Sequence, residues 1–211
     1  MANASRTLYM WLMAVGVIVP ILRPAGVAAQ ERPTITIAVY NRSKMRTSIV
    51  AAGQSVAQEV LRRASVESIW INCPVPNTPE ANPECSHPPN PSRLNLTVVP
   101  HWAGRVLNSD TLGLALEGEI GFGSYCYVFQ ERVDELAAAA HISPGHLLGS
   151  AMAHEIGHLL KGSNSHSPQG LMSGHWYANE LRDAAMGSLN FTADDAVLMR
   201  ARLVQTEARN K

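Results

Sequence analysis

Residues 154–158 read His-Glu-Ile-Gly-His, two imidazoles four positions apart with a carboxylate between them. On a helix, residues four apart lie one above the other, so His154 and His158 would turn their rings toward one metal ion. Glu155 is rotated off that line, where it can reach a water molecule in an open coordination position rather than act as a ligand. Zinc lowers the pKa of its bound water to about 7, and a neighbouring carboxylate can take the proton as that water attacks a peptide carbonyl. The trio is therefore expected to support zinc-assisted hydrolysis, with His154 and His158 as ligands and Glu155 as general base. Such a run arises by accident in on the order of one chain in a hundred of this length, so its setting matters. Ser143-Pro144 supplies an N-cap followed by proline at the first helical position, and Gly162 supplies a stop just past Lys161. Between those signals Leu147, Leu148, Ala151, Met152, Ile156, Leu159 and Leu160 form an apolar face, which predicts a helix packed into a core.

A catalytic zinc takes a third protein ligand. By ligand type and spacing the downstream candidates are His166, Glu180, His175 and, more weakly, Tyr177. The run from His154 to Met172, HEIGHLLKGSNSHSPQGLM, resembles the metzincins and especially their matrixin-like members. There the pattern is H-E-x-x-H-x-x-G-x-x-H, followed by a methionine in a tight turn below the metal. In this chain Lys161 holds the glycine slot and Asn164 the third-histidine slot, while Gly162 and His166 lie one and two residues later. The departure reads as a two-residue extension in which Ser163-Asn164-Ser165 brings the chain back to present His166. The resemblance then implies His166 as third ligand, Met172 as the methionine of the turn, and zinc as the cofactor. Glu180, with Asn179 and Asp183, leaves open a gluzincin-type arrangement in which a glutamate on a second helix completes the site. The substitutions at Lys161 and Asn164 also leave open an exported zinc-binding protein that hydrolyses nothing.

Arg6 precedes an apolar run from Leu8 to Leu22, and Val27-Ala28-Ala29 offers small residues for cleavage, so residues 1–29 read as a signal peptide. Pro20 and Arg23 interrupt the run before the roughly 20 residues a membrane span needs. A secreted or periplasmic chain beginning at Gln30 is expected, a monomer without stable membrane association after cleavage, with a retained membrane anchor as the weaker alternative. The whole sequence carries 17 basic and 17 acidic residues, and losing Arg6 and Arg23 leaves 17 − 2 = 15 against 17. That balance lacks the clustered basic excess of a nucleic-acid surface and leaves peptide or protein substrates open. Export permits disulfides. Of the 3 cysteines, Cys73 and Cys85 bracket a proline-rich loop that a disulfide could close, and Cys126 lies in an apolar run as an inert buried thiol.

The segment 30–211 suits a single domain around one core. Thr34 to Tyr40 alternates as a first strand, and Thr47 to Ala64 has helical spacing. Val66 to Asn72, Leu94 to Val99 and Tyr125 to Gln130 read as further strands, with Leu112 to Ile120 or Tyr125 to Gln130 as candidates to border a cleft. Helices follow over Glu131 to Ala140 and Ser143 to Lys161, and a last one runs from an N-cap near Thr192 to about Arg209. This order is compatible with what the metzincin resemblance implies, an α+β, zincin-like fold: a small mixed sheet, an active-site helix and a C-terminal helical subdomain.

Overall fold

A computed structural model of the chain describes residues 32–74, 82–102, 111–116, 123–162 and 165–209. The expected signal peptide, most of the proline-rich loop, the far end of the Leu112 to Ile120 candidate and Ser163-Asn164 lie outside the described residues. Five strands form one sheet: β1 (Thr34–Asn41), β2 (Glu67–Cys73), β3 (Arg93–Val99), β4 (Gly113–Leu116) and β5 (Tyr125–Phe129). Their order across the sheet is β2-β1-β3-β5-β4. The first four in that row run parallel, and β4 alone runs antiparallel, with Gly113 opposite Val128 and Leu116 opposite Tyr125. The mixed sheet therefore ends on a short strand whose outer backbone edge has no strand partner among the described residues. Of the two cleft-border candidates, β4 holds that edge and β5 is interior.

Alternation along β3 sends Leu94, Leu96 and Val98 to one face, all fully buried. They join Ile35, Ile37 and Val39 of β1 in a core covered by two helices, α1 (Thr47–Arg63) and α3 (Pro144–Lys161). The helices approach each other through glycines: a Cβ on Gly149 would meet the Gly53 carbonyl oxygen at 2.5 Å. α3 is buried along most of its length, with Leu147, Leu148, Met152 and Ile156 wholly enclosed, as its apolar spacing predicts. Its start differs from expectation in one respect. Ser143 occupies the N-cap position and Pro144 follows, but the serine side chain caps nothing; the Ser143 carbonyl instead accepts from Leu147 N at 3.1 Å.

Between β5 and α3 lies α2 (Gln130–Ala140), and beyond α3 come α4 (Ala178–Ala185) and α5 (Ala193–Arg209), which make up the C-terminal helical part. α4 is eight residues long, shorter than the stretch over which helical periodicity is read, and buries only Ala184. α5 opens on a reciprocal cap in which Thr192 N donates to Asp195 Oδ2 at 3.0 Å and Asp195 N donates to Thr192 Oγ1 at 3.2 Å. Cys73 and Cys85 form a disulfide, and Cys126 is a buried free thiol. No helix among the described residues is long and apolar enough to cross a membrane.

Candidate metal centre

One turn of α3 places His154 and His158 side by side, their Nε2 atoms 3.0 Å apart and their ring centroids 4.7 Å apart. At the end of the helix Gly162, at φ 103°, turns the chain, a conformation that L side chains rarely adopt. The chain returns to set the His166 ring 4.8 Å from His158 and 5.5 Å from His154. One nitrogen from each of the three rings lies within 4.8 Å of the other two, the single group of this kind among the described residues. Gly174 leaves space on the other side of His166, since a Cβ there would come within 3.3 Å of its ring.

Outer contacts orient the rings. Nδ1 of His154 meets the Leu171 carbonyl at 2.7 Å. A carbonyl can only accept, so that nitrogen carries the proton and Nε2 presents a lone pair toward His158. Nδ1 of His158 meets Ser165 Oγ at 3.3 Å. Burial lowers the pKa of His154 to about 4 and, together with the neighbouring histidines and Lys161, that of His158 to about 3; it lowers that of His166 as well. Neutral imidazoles are the form that binds metal. Two neutral rings with converging Nε2 atoms and a third close by suit one small cation better than they suit each other, and an all-imidazole set fits zinc.

Glu155 is 5% exposed, and burial raises its pKa to about 8. It reaches toward the edge strand: a Cβ on Gly113 of β4 would lie 2.7 Å from Glu155 Oε1, so only a glycine lets the carboxylate come this close to the strand. Beneath the helix, Met172 is fully buried against Gly157, where an added Cβ would sit 2.4 Å from its Sδ. Met172 lies in a tight turn held by Ser167 N donating to the Met172 carbonyl at 2.8 Å and Ser173 N to the Gly170 carbonyl at 3.0 Å.

The other candidates do not join the triad. The Glu180 carboxylate accepts from Tyr177 N at 3.1 Å and caps its own helix α4. His175 and Tyr177 are exposed, with rings 6.3 Å apart. His146 reaches the Ala185 carbonyl through Nδ1 at 2.9 Å and ties α3 to α4. Several contributors escape sequence reasoning. Trp176, which lies between two of the rival candidates and has no role assigned from the sequence, donates from Nε1 to the Leu171 carbonyl at 3.1 Å and lays its ring edge-on to His154 at 5.8 Å. Ser165 and the Leu171 carbonyl carry no signal of their own in the chain.

No protein-family model matches the sequence, and no curated protein matches it significantly. Among solved structures, archaemetzincin from Methanopyrus kandleri is 16% identical over 84% of this chain and 99% of its own, with a TM-score of 0.49. Metalloproteinase-II from Bacteroides fragilis is 14% identical with a TM-score of 0.52; the match covers 83% of this chain and 55% of that one. The second likeness, together with the mixed five-stranded sheet and the helix α3 packed against it, shows the fold: this is a zincin-like α+β chain.

Proposed function

We propose that the chain is an exported zinc-dependent metallopeptidase of metzincin type, cutting peptide or protein substrates internally. The observation that carries the reading is the convergence of His154, His158 and His166 within 4.8 Å beside a buried Glu155. A structural zinc site closes with four protein ligands, whereas three histidines leave a position open for catalysis. Bound there, zinc would supply Lewis acidity toward a carbonyl oxygen and toward water.

The chain's own residues supply the rest. Burial favours the protonated form of Glu155, and the charge of a zinc ion held by the three histidines would oppose it; in its ionised form Glu155 would accept a water proton at its carboxylate and pass it to the leaving amine. The Leu171 carbonyl and Ser165 Oγ hold two of the rings in orientation, as outer partners of metal-bound histidines do. The outer edge of β4 next to Glu155 offers backbone groups to which an extended peptide can pair, which favours internal stretches of chain as substrate. Met172 plays the part of the methionine of the turn beneath the metal. Export through a signal peptide spanning 1–29 is supported by the apolar run from Leu8 to Leu22 and by a Cys73–Cys85 disulfide, which persists in oxidising compartments.

The test is zinc content by elemental analysis and cleavage of a mixed peptide library, wild type beside Glu155→Ala. Wild type is expected to hold zinc and cut peptides. The variant should keep its zinc and lose about 100- to 10,000-fold in rate. A variant as active as wild type would overturn the mechanism.

A further inference from the structure

Lys161 stands where the metzincin resemblance would place a glycine, yet its side chain is 4% exposed. A buried ammonium is costly unless its protons find acceptors. All three do: Nζ donates to the Ser165 carbonyl at 2.6 Å, to Ser167 Oγ at 3.1 Å and to Asp195 Oδ1 at 2.5 Å. Asp195, 2% exposed, also accepts from Ser167 Oγ at 2.6 Å, while its Oδ2 is held by the cap of α5. Arg202 of α5 donates from Nη1 to the Lys161 carbonyl at 2.6 Å, so the end of α3 is fastened to the same helix.

Ser165 and Ser167 are the two chain neighbours of His166. One ammonium thus grips the chain on both sides of the third histidine and pins it to the first turn of α5. Ser165 also meets His158 through its hydroxyl, so the same clamp touches the second ring. A glycine in the Lys161 slot would keep its carbonyl for Arg202 but could make none of the three bonds of the ammonium, and the two-residue extension to His166 puts the clamp where the longer spacing has to be held.

We propose that Lys161 and Asp195 are positioning residues of the metal centre: their buried ion pair clamps Ser165 and Ser167 and so holds His166 in the coordination sphere across the lengthened spacing. The inference rests on the reading of the triad as a zinc site. It asks more of the pair than stability, because loss of the clamp should loosen the metal while the rest of the fold stands.

The test titrates metal-stripped full-length protein with zinc against a chromophoric chelator, well below the melting temperature, with the absorption spectrum of the cobalt(II) form as a second readout. Lys161→Met is expected to weaken zinc binding by about 10- to 100-fold, the range seen when outer partners of metal ligands are removed. Ser167→Ala should shift it the same way by less, and both should change the cobalt spectrum. In a His166→Ala background, Lys161→Met should add less than about twofold, because its effect runs through that ring. A Lys161→Met protein that melts lower yet binds zinc as wild type does would overturn the proposal, as would an equal loss with and without His166. If Lys161→Met does not fold, Ser167→Ala carries the test with the same two outcomes. A wild type that takes up no zinc, or a His166→Ala protein that binds it as tightly as wild type, would instead overturn the zinc-triad reading, and the clamp with it.

Discussion

Gly157→Ala sets two well-measured effects against each other at the floor of the site. Inside a helix the change from glycine to alanine stabilises by about 0.8–1.0 kcal/mol. Here the new methyl carbon would lie 2.4 Å from Met172 Sδ and 2.7 Å from Phe191 Cε1. Such contacts settle near 3.5–4.0 Å, so the neighbours must retreat by roughly 1 Å or more. Met172 is fully buried and has little room to do so. Overpacking of this kind costs about 1–3 kcal/mol, which leaves a net destabilisation of about 0–2 kcal/mol and a Tm lower by up to about 8 °C. Urea unfolding of the metal-free protein measures it. Met172→Ala should lose about 2–5 kcal/mol alone, and in that background the Gly157→Ala methyl enters vacated space, so its effect should turn favourable. A coupling of about 0.5–3 kcal/mol between the two positions is expected. If Gly157→Ala instead stabilises by its full propensity and adds independently to Met172→Ala, the packing of Met172 into the Gly157 notch is wrong.

Burial alone would raise the Asp195 carboxyl, but hydrogen bonds from Lys161, Ser167 and Thr192 outweigh it and hold the folded pKa below the ordinary value. A depressed folded pKa gives stability that is complete above the ordinary carboxylate range and is lost as pH falls through the folded value. Asp195→Asn should therefore flatten the acid side of the Tm profile against pH; a profile parallel to wild type would contradict the assignment. Glu180→Ala should lose only the cap of α4, about 0.5–2 kcal/mol by thermal melting, and leave zinc affinity unchanged. A drop in affinity there would revive Glu180 as a ligand. Opening the Cys73–Cys85 bond with Cys85→Ser should cost about 2–4 kcal/mol, while Cys126 should resist alkylation until the chain unfolds. Fast labelling of the folded protein at Cys126 would show that the sheet interior is open.

What could be read in the chain is what short-range spacing encodes. The apolar period of α3, Gly162 as its stop and the alternation of β1 and β3 are local, and each appears within a residue or two of its expected bounds. The closeness of His154 and His158 follows from helix geometry alone. His166 needed the resemblance, because its approach depends on the turn after Gly162 rather than on a period. Other features are invisible at short range. Lys161 looks like a departure from pattern until Asp195, 34 residues later, is seen against it. Asp195 reads as an ordinary first-turn acid, yet it serves the cap and the clamp together. The role of Trp176 is hidden because its bond is to a backbone carbonyl, which leaves no mark in side-chain identity. α4 is too short to be read from periodicity, and the four residues of β4 carry no mark of the direction in which it pairs.

X-ray absorption at the zinc edge, on protein loaded with one equivalent of zinc, reads out the ligands of the metal themselves. Three imidazole nitrogens at about 2.0–2.1 Å and one oxygen ligand are expected, falling to two imidazoles in His166→Ala. Two imidazoles with a carboxylate, unchanged by His166→Ala, would show that His166 is not the third ligand.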